Sequence, residues 1–123
     1  MKFFKCKKCG KIVALIKASA CGTFCCDEEM YELVAGTTDA AVEKHVPVVA
    51  VNGGAVDVTV GSVAHPMEEK HFIEWIAVES EQGVQIKNLK PGQEPKASFA
   101  LTSSDKFVQA YAYCNLHGLW SSK

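Results

Sequence analysis

The sequence predicts an all-β chain in which a small cysteine-rich head precedes an antiparallel β-sandwich. Three observations lead there. After residue 40, short stretches rich in apolar and β-branched residues alternate with turn signals, and no window keeps a helical period. Six or seven such strands in about 85 residues is sandwich spacing. Five of the six cysteines lie within the first 26 residues, and the small, polar stretch Ala35-Gly36-Thr37-Thr38-Asp39-Ala40 reads as a linker after them. The boundary is placed near residue 36, giving a head of residues 1–36 and a body of residues 37–123.

In the head, residues 3–6 and 11–17 read as short strands flanking the turn Cys6-Lys7-Lys8-Cys9-Gly10. In the body, residues 46–51 and 56–60 flank Asn52-Gly53-Gly54, a hairpin signal. Residues 72–78 are aromatic and β-branched, and a turn at 80–83 leads to a strand at 84–89. Pro91-Gly92 interrupts the chain before strands at 96–101 and 107–113.

Composition removes several functions. The chain of 123 residues is 48% hydrophobic and 22% charged, which is globular and too apolar for a disordered tail. The net charge is −1 and all thirteen basic residues are lysine. No guanidinium is present to fork onto phosphate or guanine, so no nucleic-acid partner is expected. The longest apolar run near the start, Ile12-Val13-Ala14-Leu15-Ile16, is too short for a signal core or a membrane span. No membrane association and a cytoplasmic location are therefore expected. Disulfides are rare in that compartment, so six cysteines point to metal or redox chemistry.

Cysteines and histidines are segregated. Cys6, Cys9, Cys21, Cys25 and Cys26 precede every histidine, whereas His45, His65, His71 and His117 share the body with Cys114. Two different metal sites would produce that partition. Cys6-x-x-Cys9 and the adjacent pair Cys25-Cys26 supply four thiolates able to close a tetrahedron around iron or zinc, between which spacing does not choose. Cys21 is a surplus thiol that could compete. Lys2, Lys5, Lys7, Lys8, Lys11 and Lys17 all precede the first acid, Asp27. They form either a solvated face or a positive surface that offsets the thiolates and helps dock an acidic electron-transfer partner. In the body, Cys114-Asn115-Leu116-His117 follows a strand, His65 and His71 bracket a loop, and His45 begins another strand. Four imidazoles and one thiolate make a five-coordinate site with one position open, a donor set that suits iron.

These segments resemble desulfoferrodoxin, the two-iron class of superoxide reductase, over essentially the whole chain. The head carries its Cys6-x2-Cys9-x15-Cys25-Cys26 motif. The body carries Glu43-Lys44-His45-Val46-Pro47, His65-Pro66-Met67-Glu68-Glu69-Lys70-His71-x3-Trp75 and Cys114-Asn115-Leu116-His117-Gly118-Leu119-Trp120. The resemblance implies a desulforedoxin-like head on an immunoglobulin-like sandwich, two non-haem irons and a homodimer. It implies Cys6, Cys9, Cys25 and Cys26 as ligands of one iron. For the other it implies equatorial His45, His65, His71 and His117 with axial Cys114.

The activity implied is one-electron reduction of superoxide to hydrogen peroxide at the open position, without oxygen evolution. An outside donor such as rubredoxin would restore the ferrous state. Lys44 is implied as the cation near the open position, and Glu43 as the carboxylate that can occupy it in the ferric form. On their own these two residues read as a surface ion pair, and Trp75 and Trp120 as packing. Hydrogen bonds from amides near Leu116 and His117 are expected to temper the thiolate. A non-catalytic iron electron-transfer protein is the alternative reading.

Overall fold

Every pairing between strands is antiparallel. The computed structural model describes all 123 residues, which divide into two units, Met1–Val34 and Ala35–Lys123. No helix is long and apolar enough to cross a membrane.

In the first unit, β1 (Lys2–Lys5) pairs with β2 (Ile12–Leu15), and β3 (Phe24–Cys25) with β4 (Glu28–Glu29). Then β5 (Tyr31–Glu32) adds to the free edge of β1. Phe3 and Met30 are the buried apolar anchors of this small unit. The strands β3 to β5 are two residues each, too short to leave an alternating pattern in the sequence.

The second unit opens with α1 (Val42–His45), followed by β6 (Pro47–Asn52) and β7 (Ala55–Val60). Next come β8 (Ile73–Ser80), β9 (Gly83–Asn88), β10 (Lys96–Ala100), β11 (Phe107–Cys114) and β12 (Gly118–Ser121). Sheets of order β10-β7-β6 and β12-β11-β8-β9 enclose one core. Alternation in Ala55–Val60 sends Val56, Val58 and Val60 inward while their neighbours face water. They meet Phe99 of β10 and Ile76, Val78, Ala110, Ala112 and Cys114 of the facing sheet.

One expectation needs correcting. His45 does not begin a strand but ends the one-turn helix α1. Four residues are too few to show a helical period, which is why no window reveals it. The turn is closed by Val46 N–H donating to the Val42 carbonyl at 3.0 Å. It stops because Pro47 biases the preceding residue to extended backbone, and Val46 has φ −70° and ψ 122°. The sequence reading also lacks β12, whose four residues pair with β11 directly after the turn at 115–117.

Candidate metal centres

In the head, the Cys6–Cys9 turn is a knuckle. Cys6 N–H donates to the Lys11 carbonyl at 2.9 Å, and Gly10 N–H to the Cys6 carbonyl at 3.1 Å. Gly10 takes φ +79°, which a side chain would resist, and so lets the chain reverse after Cys9. The second cysteine pair sits on the β3–β4 hairpin. Its two central residues, Cys26 and Asp27, have φ 53° and 60°, the sign that a type I′ turn requires. That turn splits two adjacent cysteines, one at a strand end and one on the loop, and directs both sulfurs to one point.

The four sulfurs lie within 4.8 Å of one another. Cys9 Sγ is 3.6 Å from Cys25 Sγ, which is 3.8 Å from Cys26 Sγ. Metal–sulfur bonds of about 2.3 Å place tetrahedral sulfurs about 3.8 Å apart, so the cage fits a metal ion. The Cys9 and Lys8 amides lower the Cys6 thiol to about 6, whereas hydrogen bonding with the Cys9 and Cys6 thiols raises Cys25 to about 12. Cys6 thus forms a thiolate readily, whereas Cys25 needs a cation beside it to do so. Cys21 is exposed and stands outside this group.

In the body, three connections meet at one end of the sandwich. These are α1 before β6, the loop 61–72 between β7 and β8, and the turn 115–117 between β11 and β12. The register makes this so, because Pro47 faces Val60, and Cys114 faces both Ile73 and Gly118. A bulge in β8, where Tyr113 pairs with Trp75 but Cys114 with Ile73, breaks the alternation beside Cys114. Close approach then matters at Gly61. A Cβ there would lie 2.7 Å from the Lys44 carbonyl carbon, and the Glu43 carbonyl oxygen would be nearer still. Only glycine lets this loop pass under α1. Val63 N–H and Ser62 Oγ donate to that same Glu43 carbonyl, at 2.9 and 3.2 Å.

The four imidazoles form a ring of neighbours. Centroids are 4.7 Å apart for His45–His65, 4.7 Å for His65–His71, 5.1 Å for His71–His117 and 4.9 Å for His117–His45. Across the ring His45 and His71 are 6.5 Å apart, so the arrangement is close to a square. Each ring stands edge-on to the next, with interplanar angles of 75° to 88°.

Nitrogens point at the common centre. His45 Nε2 is 3.2 Å from His65 Nε2 and 3.1 Å from His117 Nδ1. Metal–nitrogen bonds of about 2.1 Å set two donors at right angles about 3.0 Å apart, so these spacings fit a bound ion. His71 Nε2 is buried with no hydrogen-bond partner, the signature of a donor whose partner is a metal. The Cys114 sulfur is fully buried, 3.9 Å from His117 Nδ1, and lies within 4.8 Å of the donor nitrogens of His45, His65 and His71.

The rings are held from behind. His45 Nδ1 is 2.6 Å from the Ala41 carbonyl and His65 Nδ1 2.7 Å from the Pro66 carbonyl, which fixes each tautomer with Nε2 free to bind. Trp120 stacks on His45 at 4.9 Å and donates its indole N–H to the His117 carbonyl at 3.0 Å. It is thus packing that also orients two imidazoles. Trp75 stacks on Tyr113 instead. The carbonyls of Ala41 and Pro66 leave no mark in a sequence, and reading side chains alone misses them.

Burial lowers His65 to about 4 and lowers His45 and His71 as well, so these rings are neutral and ready to ligate near neutral pH. Burial raises the Cys114 thiol, opposed by the amides of Leu116 and His117. Metal binding must therefore expel a proton from Cys114. Glu43 and Lys44 are exposed on α1, and the Lys44 charge reaches both His45 and His71.

The sequence model for desulfoferrodoxin matches residues 37–123. A desulfoferrodoxin homolog from Archaeoglobus fulgidus is 51% identical over 122 residues, covering 99% of this chain and 96% of that protein. The chain belongs to the desulfoferrodoxin family. The crystal structure of the superoxide reductase from Treponema pallidum superposes with a TM-score of 0.84 at 41% identity, covering 99% of this chain and 98% of that one. A one-iron superoxide reductase from Giardia intestinalis gives 0.56 at 39% identity, covering 64% of this chain and 94% of that one. The four-cysteine cage and the imidazole–thiolate cluster are consistent with the two iron centres of a desulfoferrodoxin.

Because Cys21 lies outside the four-cysteine cage, Cys21→Ser is expected to leave the ferric tetrathiolate absorption of the head unchanged. Cys9→Ser should remove or shift it. Visible spectra of the two variants check this, and loss of the band in the Cys21 variant would place that thiol among the ligands.

Proposed function

We propose that this chain is a superoxide reductase that takes superoxide to hydrogen peroxide with one electron and two protons. The observation that carries the proposal is the ring of four imidazoles beside one buried cysteine, on a chain similar over nearly its full length to a superoxide reductase. His45, His65, His71, His117 and Cys114 hold an iron there, and Cys6, Cys9, Cys25 and Cys26 hold another. A thiolate-ligated ferrous ion supplies the single electron.

The residues around that centre have distinct tasks. The imidazoles surround a common point and Cys114 reaches it from the buried core, so a small anion would come to the centre from a side that these five residues leave free. The amides of Leu116 and His117 favour the Cys114 thiolate against its burial and so temper the charge it gives up. Lys44 draws the anion in. Glu43 is the carboxylate available to the oxidised centre, and nothing else in the chain pairs with it. The electron donor is of the rubredoxin type, the chain works as a homodimer, and the cytoplasm is its place. The first two follow from the family resemblance.

A net charge of −1 gives superoxide no global attraction, so local charge must steer it. Lys44→Ala is expected to slow the bimolecular reaction about 10- to 100-fold, within the range of steering effects. The wild-type rate should fall as salt rises, and the slope should flatten in the variant. Pulse radiolysis across a salt series measures both, and a full slope in the variant would move the attraction elsewhere.

The activity itself is tested by donor dependence. Superoxide supplied continuously should disappear catalytically only while a reductant feeds the protein. Catalysis without reductant would indicate dismutation, and no catalysis with it would indicate a mere electron carrier.

A further inference from the structure

His71 is the imidazole with the least direct support. His45 and His65 each set a ring nitrogen against a backbone carbonyl, and the carbonyl of His117 receives the Trp120 indole N–H. The ring of His71 makes no hydrogen bond within the chain, and its Nε2 is buried without a partner. Yet its loop is tightly tied to the turn that bears Cys114 and His117. Over residues 70–72, before the sheet pairing of Ile73 with Cys114 begins, the tie is made by one residue.

Asn115 uses three groups on the backbone either side of His71. Its own N–H donates to the Phe72 carbonyl at 3.2 Å, and its Oδ1 accepts from Phe72 N–H at 3.0 Å. Its Nδ2 donates to the Lys70 carbonyl at 3.0 Å. An amide side chain presents an acceptor and a donor side by side, as a peptide does, so Asn115 acts as a short strand laid against residues 70–72. Two further supports lie on either side: Glu68 and His71 exchange backbone hydrogen bonds at 2.9 and 3.0 Å, which shapes the loop, and beyond Phe72 the sheet pairs Ile73 with Cys114.

We propose that Asn115 is the positioning residue for His71, locking the 70–72 backbone to the Cys114–His117 turn so that His71 Nε2 faces the same point as the other donors. It takes the place of the carbonyl braces that His45 and His65 have. The inference rests on the metal assignment above.

Cobalt(II) titration of the full chain against a competing chelator tests it, with the head site reported separately by its own thiolate bands. Asn115→Ala should weaken cobalt binding at the body site about 10- to 100-fold, as loss of a brace behind a ligand does. Asn115→Asp keeps the acceptor for Phe72 N–H but sets oxygen against the Lys70 carbonyl, so it should not restore affinity. In proton spectra of the cobalt-loaded variant, the shifted ring resonances of His71 should move or broaden while those of His45 and His65 stay. Val78→Ala, a core truncation in the same sheet, controls for general loosening and should leave affinity and His71 resonances unchanged.

Equal affinity in wild type and Asn115→Ala would overturn the inference and spare the metal assignment. So would a uniform shift of all four imidazoles, or an affinity loss matched by Val78→Ala. Failure of the wild-type body site to take up cobalt would sink the metal assignment and this inference with it.

Discussion

Cys114→Ser should abolish superoxide reduction and erase the thiolate-to-iron absorption of the oxidised body centre, while the head spectrum persists. Cys114 is fully buried at the end of β11 and belongs to the sandwich core. Serine fits that space, but its hydroxyl does not become an anion near neutrality as a metal-bound thiol does. The Leu116 and His117 amides, which favour the thiolate, would then have no anion to stabilise. Burying that hydroxyl costs about 1–3 kcal/mol, so the head absorption serves as an internal check that the chain is folded. Activity in the variant would remove the thiolate from the chemistry.

Gly61→Ala is expected to damage the same centre from a distance. The new methyl would meet the backbone of Glu43 and Lys44, which unlike a flexible side-chain tip cannot swing aside. Either the loop 61–72 or α1 must move, and α1 carries His45. Overpacking of this sort costs about 1–3 kcal/mol, and displacing His45 should weaken metal binding at the body site about 10- to 100-fold. Gly83→Ala provides the contrast, because nothing lies within 4 Å of a Cβ there. Urea unfolding and iron content of both variants check the expectation. Equal iron content would show that α1 tolerates the displacement.

The sandwich is legible in the sequence where strands are long enough to alternate. The pattern of β7 and the hairpin at Asn52-Gly53-Gly54 announce two paired strands, and the structure pairs Val51 with Val56 around that turn. The nine candidate ligands stand out because their residue types are rare and chemically specific. The structure brings them together in two groups. What the sequence hides is of a different kind. A single helical turn such as α1 has no period, and two-residue strands have no alternation. Carbonyl braces belong to the backbone, which every residue shares. That His117 turns its Nδ1 toward His45, whereas His45 and His65 face each other through Nε2, is not encoded in residue type. Trp120 reads as packing, which it is, but its stacking on His45 depends on β12 returning beside β11. Nothing in the spacing of residues foretells that pairing.

The most direct test is a product balance on the fully reduced protein mixed with less than one equivalent of superoxide. One electron and two protons per superoxide give one hydrogen peroxide and no oxygen, and one ferrous body centre should be oxidised for each superoxide consumed. Half as much peroxide, accompanied by oxygen evolution and an unchanged centre, would be dismutation and would contradict the assignment of this chain as a superoxide reductase.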